Sequence, residues 1–499
     1  MLHQPQVIEK QATPQYMLLT LSIVFALLAA IALFFPKEGV RLTSNATITF
    51  PGIKDALGIA ADVSELNMDC SEEGFYSQPS GLVKNAHAAL PLRCTPDDVR
   101  ALPLQPIQYP KGYEHILEDT WMEFATAKNS PKPVRVLHYG DSQLEADRMT
   151  LYLRNQLQSQ FGGGGVGFVA LDPQIPINPT VKISMSENWQ HSTPAVKSKA
   201  QEGMRIGHLL SNVKLPSNSQ PKSAWIRIDR RPLRTYPTLR YSRIRLFLGN
   251  SRAPVTIEAK TPTKRLYSRS INPSEDVQQI ELIIPNNREN VTLTFSGRGC
   301  PEIYGLALDY RSGLAVDNIP LRSSNGVDFT KADINLLKRS YDKLNAKFII
   351  LQFGANVVPK MMSSYSYYEQ QMYEQLQLLK QVCPQSGIVV VGVSDMAKRG
   401  ANGNMISYPN IEKVRNAQKQ AAFRAGCAFW DTYEAMGGRN SIVSWAYATP
   451  VLASKDFCHF SADGAALIAE LFCRALAQEY GPYATQPHRQ SKAVVSSAN

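Results

Sequence analysis

The stretch Val134-Arg135-Val136-Leu137-His138-Tyr139-Gly140-Asp141-Ser142 carries the reading of the fold. It follows a Pro131-Lys132-Pro133 break, so Val134 to Leu137 begin a short strand, and Gly140-Asp141-Ser142 makes a tight turn. A helix is predicted over 143–161, because Met149, Leu153, Leu157 and Phe161 recur at four-residue spacing and form one buried stripe. Strand, turn and helix in this order open an α/β sheet. Another predicted helix precedes them over 113–128, with Ile116, Leu117, Trp121 and Phe124 on one side.

Further along, the texture changes twice. From about 180 to 310 helical periodicity gives way to alternation, as in Ala224-Trp225-Ile226-Arg227-Ile228, Arg243-Ile244-Arg245-Leu246-Phe247-Leu248 and Asn290-Val291-Thr292-Leu293-Thr294-Phe295. Turn signals such as Gly249-Asn250 separate these runs, the pattern of an antiparallel sandwich. Arg243 and Arg245 fall on one face of their strand, opposite Ile244 and Leu246, and are candidate ligands for an anionic glycan. A solvated outer face is the plainer reading. From Phe329 the α/β texture returns: helices over 332–344, 367–382, 410–425 and 462–479 alternate with apolar strands over 347–353, 388–393 and 429–431. A single α/β domain is therefore expected to be split by an inserted β domain. The expected boundaries are a tail and anchor over 1–36, a Pro/Gly-rich lead-in over 37–112, α/β segments over 113–175 and 311–481 flanking a β-sandwich over 176–310, and a disordered tail over 482–499.

Bulk properties bound the rest. The chain has 499 residues, enough for two or three domains, and 44% of them are hydrophobic, which excludes a disordered chain. Its formal net charge of +11 points to an anionic partner surface without naming one. The run 17–35 is apolar, broken only by Thr20 and Ser22. As a helix it would be about 30 Å long, enough to cross a bilayer. Ala30-Ile31-Ala32 resembles a signal-peptide cleavage site, but the run continues past it, which favours an uncleaved membrane anchor. Of seven cysteines, Cys70 and Cys94 bracket a loop that a disulfide would staple. No metal-ligand spacing stands out, and the glycine run 162–165 lacks the Lys-Ser/Thr of a phosphate-binding loop. No metal, cofactor or nucleic acid is expected, and that run is read as a flexible edge near the site.

Four fragments, each at the end of a predicted element, can carry chemistry. Ser142 sits where a strand gives way to a helix, whose N–H groups and dipole suit a developing oxyanion; as a helix cap it would be merely structural. Ser323-Ser324-Asn325-Gly326 offers a glycine that permits close backbone approach, or a plain turn. Gly354-Ala355-Asn356 places an amide just past the carboxyl end of a buried strand, where open α/β sheets bind ligands, or makes an Asx turn. In Asp456-Phe457-Cys458-His459 the carboxylate can orient one ring nitrogen and leave the other free to take a proton from a serine. His138 is also near Ser142 in sequence, but a strand residue there would point along the sheet, so His459 is the preferred base.

Together, Gly140-Asp141-Ser142, Gly326, Gly354-Ala355-Asn356 and Asp456-Phe457-Cys458-His459 resemble blocks one, two, three and five of the SGNH (GDSL-type) hydrolases, over about 134–175 and 311–480. The resemblance implies a flavodoxin-like three-layer α/β/α fold, with Ser142 as nucleophile, His459 as base and Asp456 as its orienting partner. It further implies an oxyanion hole from the N–H groups of Ser142 and Gly326 and the side-chain amide of Asn356. Gly203 and Gly207, inside the β insertion, are alternatives for the block-two glycine. A β-sandwich between blocks one and two is similar to bacterial peptidoglycan O-acetylesterases, as is Gly313-Leu314-Ala315-Val316-Asp317-Asn318-Ile319-Pro320. That likeness implies an acetylated cell-wall or surface polysaccharide as substrate, and a catalytic domain on the periplasmic side of a bacterial inner membrane. The same triad would serve an O-acetyltransferase working with a membrane-bound acyltransferase. A non-catalytic polysaccharide-binding protein is disfavoured, since a binding module has no need of His459 or Asp456.

Overall fold

The computed structural model describes residues 90–484 except 170, 172–178, 193–208, 210–211, 215–221, 232–239, 285–288 and 299–300, together with the antiparallel strands Val40–Thr43 and Ala46–Ile48. The run 17–35, Cys70, Gly203, Gly207 and the segment 485–499 lie outside the described residues. Among those described, no helix is long and apolar enough to cross a membrane. The chain divides into two compact units, Met1–Val83 and the larger Lys84–Asn499.

Its centre is a parallel sheet of β1 (Val134–Gly140), β2 (Leu314–Pro320), β3 (Ala346–Gln352), β4 (Gly387–Val391) and β5 (Ala428–Trp430), in the order β2-β1-β3-β4-β5. Such a doubly wound order leaves a crevice at the carboxyl ends of β1 and β3, where the winding reverses. Among the described residues, six helices of nine residues or more flank the sheet: α1 (Glu118–Thr126), α2 (Thr150–Phe161), α3 (Ile334–Leu344), α4 (Ser366–Val382), α5 (Ile411–Arg424) and α6 (Ala462–Ala484). Alternation along the strands sorts them. Val134, Val136, Phe348, Ile350 and Val389 pack with α1, α2 and α6, whereas Leu137, Tyr139, Ile349, Leu351 and Val390 pack with α3, α4 and α5. Both faces are covered, so the inner strands are apolar throughout.

The structure departs from expectation around Ser142. The helix predicted over 143–161 is two pieces, a kinked 3-10 segment Ser142–Asp147 and then α2. Ala146 (φ 57°) and Asp147 (φ 61°) lie in the left-handed region between them. A buried bidentate pair holds the kink: Arg154 donates to both Asp147 oxygens (2.6 and 3.1 Å) and to the Val316 carbonyl (2.7 Å). Met149, Leu153, Leu157 and Phe161 are buried as their spacing predicts. A long helix N-terminus does not lie at Ser142, so the dipole reading of that serine is withdrawn.

Strands between β1 and β2 form two antiparallel sheets. One contains Val181–Met185, Lys222–Arg230, Val291–Gly297, Val255–Lys260 and Arg265–Ile271, and the other contains Glu302–Asp309, Arg243–Gly249 and Gln278–Ile283. Ile226, Ile257, Leu293, Phe295, Leu246 and Leu308 fill the space between them. The strands Arg243–Gly249 and Glu302–Asp309 of the second sheet are buried on both sides, because Phe247, Tyr304 and Ala307 on its other face join the core that holds Tyr139 and Phe329, whereas the edge strand Gln278–Ile283 keeps that face exposed. That face also carries the candidate glycan ligands, and they are corrected accordingly. Arg245 is 5% exposed, donates to Asp309 (3.0 Å) and the Tyr310 carbonyl (3.1 Å), and pairs with Glu281 (2.7 Å). Arg243 also faces Glu281, at 3.4 Å. Arg245 therefore presents no free guanidinium to a ligand, and Arg243 is largely buried, with Nε and Nη1 shut off from solvent.

Asp309 is shared with Arg135 of β1, which also chelates Asp317 of β2 (2.7 and 2.9 Å) and stacks on Phe168. Burial works against the Arg135 charge, but Asp309 and Asp317 outweigh it and hold its pKa above the usual arginine value. This cluster ties the sandwich to the parallel sheet.

Two further expectations fail for packing reasons. The glycine run 162–165 is a tight crossing at the amino end of β2, away from Ser142: Gly163 (φ 114°) bridges to Leu314, and a Cβ there would sit 2.2 Å from the Leu314 carbonyl oxygen. The end of the lead-in is part of the α/β unit, with Gln108 pairing to Phe429 of β5 and Arg100 to Glu470. Cys94 is a free, buried thiol there, and Cys70, across the loop that a disulfide would staple, lies outside the described residues.

Candidate active site

β1 ends at Gly140, and Asp141 turns the chain so that Ser142 leaves the carboxyl edge of the sheet at the β1/β3 crevice. Its Oγ lies 2.7 Å from His459 Nε2, and His459 Nδ1 lies 2.7 Å from Asp456 Oδ2. The other Asp456 oxygen accepts the N–H groups of Cys458 and His459, both at 3.0 Å. Partial burial raises the Asp456 pKa, but these bonds, led by that from His459, bring it below the usual carboxylate value. An ionised Asp456 fixes the tautomer with hydrogen on Nδ1 and leaves Nε2 to accept from Ser142. Three residues from two ends of the chain thus form one hydrogen-bonded series, with His459 31% exposed.

His138 takes no part in it. It is fully buried between Gln352 (3.0 Å) and Thr150 (3.0 Å), and burial pushes its pKa down to about 4.

Asn356, just beyond β3, donates one amide hydrogen to the Ser324 carbonyl (3.0 Å), which leaves the second for a ligand. Gly326 requires correction. Its position needs glycine, since φ is +80° and a Cβ would meet the Phe353 ring at 2.7 Å. Its N–H, however, donates to Ser324 Oγ at 3.0 Å, so the amide assigned to an oxyanion is engaged within its own turn.

The sequence reading missed the residues that hold the base in place. Gln143 is 4% exposed; its amide donates to the Cys458 carbonyl (2.7 Å) and accepts from the Phe460 N–H (3.2 Å), gripping the backbone on both sides of His459. Arg148 donates to the Phe460 carbonyl (3.0 Å) and to the Ser142 carbonyl (2.8 Å). A polar residue following a candidate nucleophile was the only local signal. Misplacing a reacting group by about 1 Å costs on the order of 100-fold in rate. Gln143→Leu is therefore expected to lower kcat about 10- to 100-fold with KM little changed, and Gln143→Glu not to restore it, because a carboxylate cannot donate to Cys458. Steady-state kinetics on a soluble acetyl ester checks this; a kcat within twofold of the parent would refute it.

Asp141 joins the turns after β1 and β3. One oxygen accepts from Gln143 N–H and the other from Ala355 N–H, both at 3.1 Å. Burial pushes its pKa up to about 6, against the pull of those bonds. The folded value lies above the unfolded one, so this group's stabilisation is complete below about pH 4 and is lost as pH rises through about 6. Relative to Asp141→Asn, the parent should lose on the order of 3 kcal/mol between those limits. Urea unfolding of both proteins at pH 4, 5, 6 and 7 measures the difference; a constant gap would sink the prediction.

No protein-family model matches the chain, and no curated protein is similar to it in sequence. Among solved structures it is similar to a peptidoglycan O-acetylesterase, with a TM-score of 0.60 and 19% identity over 75% of this chain and 99% of that one. A family two carbohydrate esterase from Cellvibrio japonicus (TM-score 0.24, 10% identity, 60% of this chain and 99% of that one) and a salicylyl-acyltransferase from a tetracycline pathway (TM-score 0.28, 8% identity, 64% and 99%) match too loosely to add to this. The chain shares the fold of the first, a parallel α/β domain with antiparallel sheets inserted in it.

Proposed function

We propose that the protein is a serine-dependent O-acetylesterase acting on an acetylated polysaccharide of the cell wall or cell surface. The observation that carries the reading is the Ser142–His459–Asp456 series at the β1/β3 crevice, with 2.7 Å at each junction. His459 takes the Ser142 proton as Oγ attacks the acetyl carbonyl, and Asp456 stabilises the imidazolium that results. The Ser142 N–H and the second Asn356 amide hydrogen would receive the oxyanion; Gly326 would join them only if its bond to Ser324 opened. His459 then returns the proton to the departing sugar oxygen, leaving an acetyl-serine. Water activated by His459 resolves it to acetate. An oligosaccharide hydroxyl in place of water would make the same site an O-acetyltransferase. We further place the domain outside the inner membrane, tethered by the run 17–35.

The test is acetate release from an O-acetylated glycan by the full chain, in parallel with Ser142→Ala. Release that depends on Ser142 supports the reading, acetyl transfer to an added oligosaccharide converts it to the transferase, and release undiminished in Ser142→Ala removes it.

A further inference from the structure

Three loops frame the serine–histidine pair: 355–365 beyond Asn356, the hairpin of Ala397–Arg399 and Met405–Ser407, and 446–460, which bears Asp456 and His459. They are contiguous. The Ala397 N–H donates to the Phe457 carbonyl (3.0 Å), and Lys398 Nζ lies 3.2 Å from Met361 Sδ. Together they contain Lys360, Lys398, Arg399 and Lys455 but a single acid, Asp456, which is engaged with His459.

Those four cations lack a carboxylate partner among the described residues. Arg399 donates to the Gly403 carbonyl, Lys398 lies over the Tyr408 ring, and Lys455 donates to the Ala446 carbonyl from a position over Tyr447. Several other arginines of the unit that border acids are paired with them, as in Arg322–Glu145, Arg415–Glu434, Arg424–Glu369 and Arg439–Glu412. Between the cations lie exposed apolar side chains, Met361, Met362, Ile406 and Tyr447, suited to the C–H faces of sugar rings.

We propose that the rim selects a polyanionic glycan, with carboxylates flanking the acetylated hydroxyl and met by Lys360, Lys398, Arg399 and Lys455. This rests on the esterase reading of Ser142. The carboxylates belong either to uronate rings or to an acidic ether substituent on a neutral ring; the recognition chemistry is shared. Exposed charges act over about 8–10 Å at physiological salt and lose reach as salt rises, so the selectivity should be screened.

The experiment compares kcat/KM of the full chain on acetylated oligogalacturonate, acetylated muramic-acid-containing glycan fragments and acetylated xylo-oligosaccharide, from low to high salt. At least one anionic substrate should exceed the neutral one by about tenfold or more at low salt, with the ratio falling as salt rises, and which one leads identifies the carboxylate source. In Lys360→Glu/Lys398→Glu the anionic-to-neutral ratio should drop by about tenfold. A ratio near one that salt and the double variant leave unmoved, with the neutral ester still hydrolysed, overturns the rim proposal alone. Failure to hydrolyse any of the three, or phenyl acetate, overturns the esterase reading beneath it.

Discussion

Ser142→Ala should lower kcat/KM on an acetyl ester by on the order of 10⁴- to 10⁶-fold, and His459→Ala by nearly as much. Neither residue acts without the other: Oγ is a poor nucleophile until Nε2, 2.7 Å away, accepts its proton. The double variant should therefore be no slower than the worse single one, since the residual rate reflects only binding and oxyanion donors. Asp456→Asn should be milder than either, because Asp456 is 48% exposed and water can partly replace its carboxylate. Pre-steady-state kinetics with excess chromogenic acetate would show the acetyl-enzyme burst in the parent and none in Ser142→Ala. Retention of a tenth of the parent rate by Ser142→Ala, or additive losses in the double variant, would remove the serine–histidine pair from the chemistry.

Arg135→Met should be the most destabilising single change at the junction of the two sheet systems. It strands Asp317, left with the Phe168 N–H, and leaves Asp309 to Arg245 alone. Removing one partner of a buried ion pair costs about 3–5 kcal/mol, a large share of the ~5–15 kcal/mol that holds a domain folded. Its urea midpoint should fall accordingly. Combining Arg135→Met with Asp317→Leu should recover part of the loss, because the orphaned charge is removed with its partner. A single variant within 1 kcal/mol of the parent would show that water reaches the cluster and that the sandwich is held by apolar packing alone.

Much of the α/β unit was legible because its strands and helices carry their own periodicity. Strand β3 reads as an apolar run and α2 as a stripe of Met149, Leu153, Leu157 and Phe161, and each lies within a residue or so of its predicted place apart from the kink after Ser142. Strand β2 was not legible as a strand: Asp317 and Asn318 interrupt its apolar run, for reasons that lie in Arg135 and the Leu144 carbonyl, far away in sequence. The arginines of the insertion misled for a related reason. Alternation put Arg243 and Arg245 on one face, but cannot say whether that face meets water or another sheet.

The sequence by itself determined the order of elements and the placing of Ser142, Asn356, Asp456 and His459 at element ends, because those signals are local. Only the tertiary structure decided that Ser142 and His459, 317 positions apart, meet at 2.7 Å. It also decided that Gln143 and Arg148 grip the histidine loop, that Ser324 occupies the Gly326 N–H, and that the arginine-bearing strand faces a core. Hydrogen bonds from a side chain to a distant backbone need a donor and an acceptor but no particular residue at the far end, so they leave no pattern to read.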